Sequence, residues 1–409
     1  AGTLEQDNNL YSEVKKSTNS IVQIEYERTS GGDITFFASR AADAYSKIAA
    51  TADGHQLAAF LDQKAGAMTG DAQNIVGGID FAKFTIDATA EQMTPRAYDS
   101  LQYAAQSRIK MLTDLTSDRL LEKERSQEGE WSLYAQPLRL EFDQNSWHSY
   151  AGFSGQSSGI LVGAQRQVGN WRYGIYGAYL DDKTDVTAAA PLHSESQSGF
   201  IGITGHYAAD PERGQFYYGL LQCGAERYDT KRNVMLGNSY FSSYDKKWTS
   251  RSLTTEAGTG WRLPQRQGTL IPVAALRYSL LDYPGITESS AADGAAVSRG
   301  ASDLQSLQSK VGLRMELGKE RLGAVTERSY DMSAMWYHEW LSNDTDYSWN
   351  RFAGQDRLNE KGAGSAGRDT YTLSVGMQLQ ENNKFTLRAA VGKAFGKGYH
   401  DSKVSVDCQ

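Results

Sequence analysis

From Trp131 to Gln409 the hydrophobic period of the sequence is two. Leu307, Val311, Leu313, Met315 and Leu317 alternate with Gln308, Lys310, Gly312, Arg314 and Glu316, and Tyr371, Leu373, Val375, Met377 and Leu379 with Thr372, Ser374, Gly376, Gln378 and Gln380. A period of two puts successive side chains on opposite faces of a strand, so this stretch must fold as β-structure. Twelve strands are predicted, near 132–143, 157–168, 170–185, 195–208, 214–231, 246–263, 269–282, 303–318, 325–341, 369–380, 384–396 and 400–409.

Alternation fits two architectures, a soluble sandwich and a lipid-embedded barrel. Composition favours the barrel: 40 Gly, 23 Tyr and 8 Trp but only 7 Pro, and no uncharged apolar run long enough for a membrane helix. Trp171, Tyr179, Tyr217, Tyr228, Trp248, Trp261, Tyr278, Trp336 and Trp340 gather near strand ends, where interfacial girdles are expected. Tight connections at Val168-Gly169-Asn170 and Gln380–Lys384 alternate with long ones at 284–302 and 342–368. The reading is a transmembrane antiparallel β-barrel over 131–409 with Arg139, Glu141, Glu256, Arg277, Lys310, Arg314, Glu316, Glu339 and Arg388 facing its lumen. Its surroundings would be outer-membrane lipid.

Before Trp131 the period is helical. Phe36, Phe37, Ala41, Ala44, Tyr45, Ile48, Leu57, Phe60 and Leu61 recur at three- and four-residue steps, with Gly31-Gly32, Asp53-Gly54 and Gly77-Gly78 as breaks. Residues 1–93 therefore read as a small helical domain, and 94–130 as a linker helix. Thr94-Pro95 is a start signal, with Thr as N-cap and Pro at the first helical position. Leu101, Ala105, Ile109, Leu112, Leu115 and Leu120 mark one face up to about Lys123. Arg108, Lys110, Asp114, Asp118 and Arg119 mark the other. About twelve strands enclose a lumen that side chains alone do not fill, and this helix is expected to occupy it.

The chain resembles the translocator end of a type Va autotransporter. The motifs are Trp171-Arg-Tyr-Gly-Ile-Tyr-Gly-Ala-Tyr179, Glu226-Arg-Tyr-Asp-Thr-Lys-Arg232, Leu270-Ile-Pro-Val-Ala-Ala-Leu-Arg-Tyr-Ser279 followed by Ile286-Thr-Glu288, Trp336-Tyr-His-Glu339, and Gly398-Tyr-His-Asp-Ser-Lys-Val-Ser-Val406. Their order and spacing carry the likeness over 131–409, with a weaker likeness over 94–130. The resemblance implies twelve strands around a pore helix, export or display of an N-terminal passenger, and a place in the outer membrane of a Gram-negative bacterium. It implies the outer-membrane barrel assembly machinery and periplasmic chaperones as partners. Val404, Val406 and Cys408 keep the alternation of the family's assembly signal, but Gln409 stands where an aromatic residue is usual.

Other functions find little support. The charge balance, 42 − 49 = −7, is wrong for a nucleic-acid binder. Histidines 55, 148, 193, 206, 338 and 400 lack paired ligand spacing, so no metal or other cofactor is expected. Asn-Asn, the step at which some autotransporters cleave themselves in the pore, occurs at Asn8-Asn9 and Asn382-Asn383 but not within 95–125. Gly152-Phe-Ser-Gly-Gln misses the esterase elbow, and Ser333 and His338, five apart, face opposite sides of one strand. No enzyme is expected. Cys223 and Cys408 fall on distant strands and are expected to be free thiols. No leader precedes Ala1-Gly2-Thr3-Leu4, which suggests a processed or excised chain, and no β-solenoid repeat precedes residue 94. Two alternatives remain open at this point: a non-exporting barrel with a partner-binding helical domain, and a small-solute porin.

Overall fold

The computed structural model describes residues 21–28, 34–122, 128–147, 150–289, 294–322, 325–341, 346–361, 367–381 and 385–409. Twelve long strands form the barrel: β1 (Trp131–Gln144), β2 (Phe153–Val168), β3 (Trp171–Val186), β4 (Leu192–Asp210), β5 (Gln215–Leu236), β6 (Tyr240–Trp261), β7 (Gly268–Tyr283), β8 (Ser302–Leu317), β9 (Thr326–Glu339), β10 (Asp369–Glu381), β11 (Phe385–Gly396) and β12 (Tyr399–Cys408). Each pairs antiparallel with its neighbours, and β12 returns to β1 through Tyr399↔Gln144 and Cys408↔Ala135. Closure satisfies backbone groups that lipid cannot, which permits the wall to sit in a membrane. Gly169 and Gly214, at the short β2–β3 and β4–β5 turns, have positive φ, a conformation that favours glycine.

The outward face is what lipid demands. Leu133 and Ile201 are about 70% exposed, and Val162, Ile175, Leu221, Leu276, Leu313, Leu373, Val375, Val404 and Val406 are also exposed. No water-soluble surface tolerates such a continuous apolar belt. Inward, Tyr134, Tyr176 and Tyr218 lie over Gly163, Gly202 and Gly258 of the next strand, where an added Cβ would stand 2.4–2.6 Å from each ring. The glycines leave room for the rings, and the rings cover backbone that would otherwise be bare.

The barrel is taller than its membrane belt, and two expectations fail in the excess. Above the belt β1 turns Leu138, Leu140 and Phe142 inward, and Arg139 and Glu141 outward, where they pair with each other at 2.9 Å. They do not face the lumen: water surrounds this part of the wall, so charge belongs outside. Tyr228 and Trp248 likewise point inward, stacked at 4.9 Å beside Tyr98 and Tyr283, and belong to no girdle.

Helices α1 (Ala52–Lys64), α2 (Gly70–Asp80) and α3 (Ile86–Gln92) sit at the long-loop end. Leu57, Leu61, Ile75, Ile79 and Ile86 share one core with Val234, Leu236 and Tyr244 of the β5–β6 hairpin and with Ala295 and Phe352 of the long loops. The Gln92 amide also exchanges two hydrogen bonds with the Met235 backbone, at 2.6 and 2.8 Å. The region is not wholly helical. Val22–Arg28 and Ile34–Arg40 form a hairpin, which takes Phe36 and Phe37 out of the predicted helix. Gly77-Gly78 lies inside α2 rather than at a break, with Gly78 against the Phe84 ring. Asn8-Asn9, Asn382-Asn383 and His148 lie outside the described residues.

Candidate functional site: the occupied pore

Helix α4 (Arg96–Leu121) runs through the lumen. At 1.5 Å per residue its 26 residues span about 39 Å, enough to cross the bilayer core. The segment carries Ser107, Thr113 and Thr116 in a buried setting, and their hydroxyls donate to the carbonyls four residues back, at 3.1, 2.7 and 3.1 Å. Its start differs from expectation: Pro95 is the residue before the helix, and the Thr94 hydroxyl donates to Glu91 O at 3.0 Å rather than capping α4.

The wall answers each charge of the helix from Arg108 to Arg119. Arg108 is ion-paired with Glu226 of β5 and lies 3.6 Å from Asp182 of β3. Lys110 lies 3.8 Å from Glu339. Asp114 accepts from Arg277 at 2.5 Å and from the Tyr337 hydroxyl at 2.8 Å. Arg277 also holds Glu256, with Lys310 at 3.5 Å from the same carboxylate and donating to Ser117 Oγ at 3.0 Å. Asp118 pairs with Lys403 at 3.3 Å, and Arg119 with Asp407. Arg388 and Arg314 share Asp331, at 2.8 and 3.2 Å, and both approach Glu122. Glu316 joins Arg262 at the rim at 2.9 Å. Apart from Arg139, Glu141 and the rim residue Glu316, the sequence-predicted lumen residues thus converge on one helix.

The C-terminus of α4 carries unsatisfied carbonyls and the negative end of the helix dipole. Arg172 donates to Leu120 O at 2.5 Å and Glu122 O at 3.0 Å, Arg262 donates to Leu121 O, and Arg314 donates to Asp118 O at 3.3 Å. At the other end Arg96 pairs with Asp53 and Glu360, and Asp99 with Arg299 at 2.7 Å. The Tyr98 hydroxyl donates to Glu288, which Arg232 holds at 2.6 Å.

Arg172, Glu226 and Arg232 lie in the motifs that carry the resemblance, but neither they nor Asp182 were assigned to the lumen from sequence. The signal was present: once Trp171 faces lipid, each even-numbered residue of β3 faces in, and the inward set 226, 228, 230, 232 of β5 follows the same rule.

α4 packs against β1 to β5. On its other side a gap of about 90 Å³ remains, bordered by Tyr103, Lys110, Asp114, Tyr399 and Asp401. It has room for several waters, and polar and apolar groups share its border. Among the described residues, no three His, Cys, Asp or Glu side chains come together as metal ligands, and Cys223 and Cys408 are free thiols.

A model of the autotransporter β-domain matches residues 133–392. No curated protein matches the sequence. The fold is similar to the translocator domain of autotransporter NalP from Neisseria meningitidis: 14% identity, TM-score 0.56, 75% of this chain and 96% of that one. It is also similar to the β-domain of the Bordetella autotransporter BrkA (14% identity, TM-score 0.47, 68% and 98% covered) and to the transport unit of AIDA-I from Escherichia coli (14%, 0.48, 71% and 93%). A closed barrel with a lipid-facing belt, a helix in its lumen and a family match over most of the wall lead to one conclusion: this chain belongs to the autotransporter β-domain family, as a non-enzymatic translocator of the outer membrane that exports a passenger.

Proposed function

We propose that α4 is the stationary plug of the pore once export is complete, and that the lumen charges hold it there. What carries this reading is the match of every helix charge from Arg108 to Arg119 to a wall partner of opposite sign. A buried pair broken on one side leaves an uncompensated charge, typically about 3–5 kcal/mol, so the helix has no cheap alternative position. The porin reading predicts an open lumen and steady conductance, and the occupied lumen favours the plug instead. Planar-bilayer recording tests it: deletion of 95–123 should turn a low-conductance state into a large steady one. Unchanged conductance after that deletion would sink the assignment.

Residues 41–93 are proposed to be a cap retained on the outer mouth, because their apolar core continues into the β5–β6 hairpin and the long loops. Shaving of intact cells should cleave Val22–Arg40 while sparing α1–α3. Insertion is proposed to use the barrel assembly machinery and periplasmic chaperones, with the outward edge of β12, Val404, Val406 and Cys408, as the segment they read. Val406→Arg should prevent the heat-modifiable form from appearing on semi-native gels if that edge must enter lipid.

A further inference from the structure

The outward faces of β5 and β6 change character within one pleat. Up β5 the outward residues are Leu221, Cys223, Ala225, Arg227 and Asp229; down the paired β6 they are Lys247, Thr249, Arg251, Leu253 and Thr255. Cross-strand register sets Arg227 against Thr249 and Ala225 against Arg251. The two arginines are therefore diagonal neighbours, about 7–8 Å apart at that spacing. They lie where the apolar belt, with Tyr179, Ile201 and Leu253, gives way to charge. That is the depth of lipid headgroups.

Three of the acids nearby are engaged elsewhere. Asp229 is held by Lys247 at 2.6 Å and Glu195 by Lys183 at 3.0 Å, while Asp181 accepts from the Tyr179 hydroxyl at 2.9 Å. Asp282, opposite Arg251 on β7, makes no ion pair with it and is itself unpaired among the described residues. Among the described residues neither the Arg227 nor the Arg251 side chain has a hydrogen bond or ion pair. Beside Arg227 the wall forms a hollow of about 530 Å³, bordered by Arg139, Asp181, Gln197, Arg227, Asp229 and Lys247. Two like charges at a lipid boundary repel unless an anion lies between them. A guanidinium meets phosphate through two parallel N–H donors, so a phosphomonoester suits the pair better than a carboxylate point contact. Basic residues at this level draw anionic headgroups.

We propose that Arg227 and Arg251 form a binding site for the phosphorylated headgroup of an outer-leaflet lipid. Gln197 and Thr249 supply flanking polar groups, and the hollow accommodates the sugar or glycerol moiety that bears the phosphate. The site lies on the barrel's outer wall, distinct from the plugged lumen.

Native mass spectrometry of the detergent-purified full chain tests this, with diphosphorylated lipid A as the probe and phosphatidylcholine as the neutral control. The unsubstituted protein should retain lipid A in preference to phosphatidylcholine. R227Q/R251Q should bind it at least about tenfold more weakly, whereas K393Q, on the far side of the barrel, should bind as the unsubstituted protein does. Heat-modifiable migration checks that each variant is assembled. Should the double variant not assemble, R227Q alone is read against the same tenfold criterion. Affinity within twofold of the original in the assembled variant overturns the proposal. Displacement of lipid A by equimolar inorganic phosphate also overturns it, because the site would then recognise free anion and not a lipid.

Discussion

The Arg277 guanidinium lies 2.5 Å from the Asp114 carboxylate, and so ties the middle of the barrel wall to the middle of the helix inside it. Because the same guanidinium also holds Glu256, and Tyr337 also donates to Asp114, one helix carboxylate organises four wall groups with Lys310. Asp114→Asn removes the charge while nearly preserving shape. It should lower the temperature at which the compact gel form converts to the unfolded one, in keeping with about 3–5 kcal/mol for a broken buried pair. A conversion temperature equal to that of the unsubstituted protein would show that the pair does not secure the helix.

The helix C-terminus makes a different prediction. Arg172, on β3, and Arg262, just after β6, touch its carbonyls with side chains that the backbone ladder does not need. Arg172→Gln with Arg262→Gln removes two charge–dipole contacts, each about 0.3–2 kcal/mol. Brief conductance bursts should appear in bilayer recordings while the barrel keeps its heat-modifiable migration. Quiet recordings would assign the end of α4 to other contacts.

Gly202 tests the wall. A Cβ there meets the Tyr176 ring at 2.4 Å, and the Tyr176 hydroxyl is committed to Gln222 at 2.9 Å. Gly202→Ala should cost about 1–3 kcal/mol, as overpacking does. Adding Tyr176→Phe to release the hydroxyl should recover part of it, measured by the same gel transition in a double-mutant cycle.

The cap should respond to acid. Burial alone would raise the Asp87 carboxyl, but donors from the Thr51 and Ala50 backbone and the Thr51 hydroxyl outweigh it and hold it below the ordinary 3.8. A depressed carboxylate stabilises above its unfolded value, and that stabilisation is lost as pH falls through the folded one. Protease protection of α1–α3 should therefore decline as pH falls below about 4, and Asp87→Asn should show a lower but flatter profile. Parallel profiles would exclude Asp87 as the group responsible.

Much of this was legible from residue order. The period of two located the twelve strands because a strand must alternate whatever surrounds it. The alternating connections told which end carries turns, and charge on 108–119 singled out the helix that fills the pore. The Ile34–Arg40 strand was missed because Phe36, Phe37, Ala41 and Ala44 mimic helical spacing, and only pairing with Val22–Arg28 makes that segment extended.

The sequence by itself determined the strands, their two faces and the charged helix. Which face meets lipid was a tertiary decision. Within the belt the outside is hydrocarbon, so Trp171 and Ile175 point out and Arg172 points in. Above it the outside is water and the inside is packed helix, so Leu138 and Phe142 turn in while Arg139 and Glu141 turn out. Alternation is the same on both sides of that boundary; only the solvent changes, and its height on the wall is fixed by assembly of all twelve strands together.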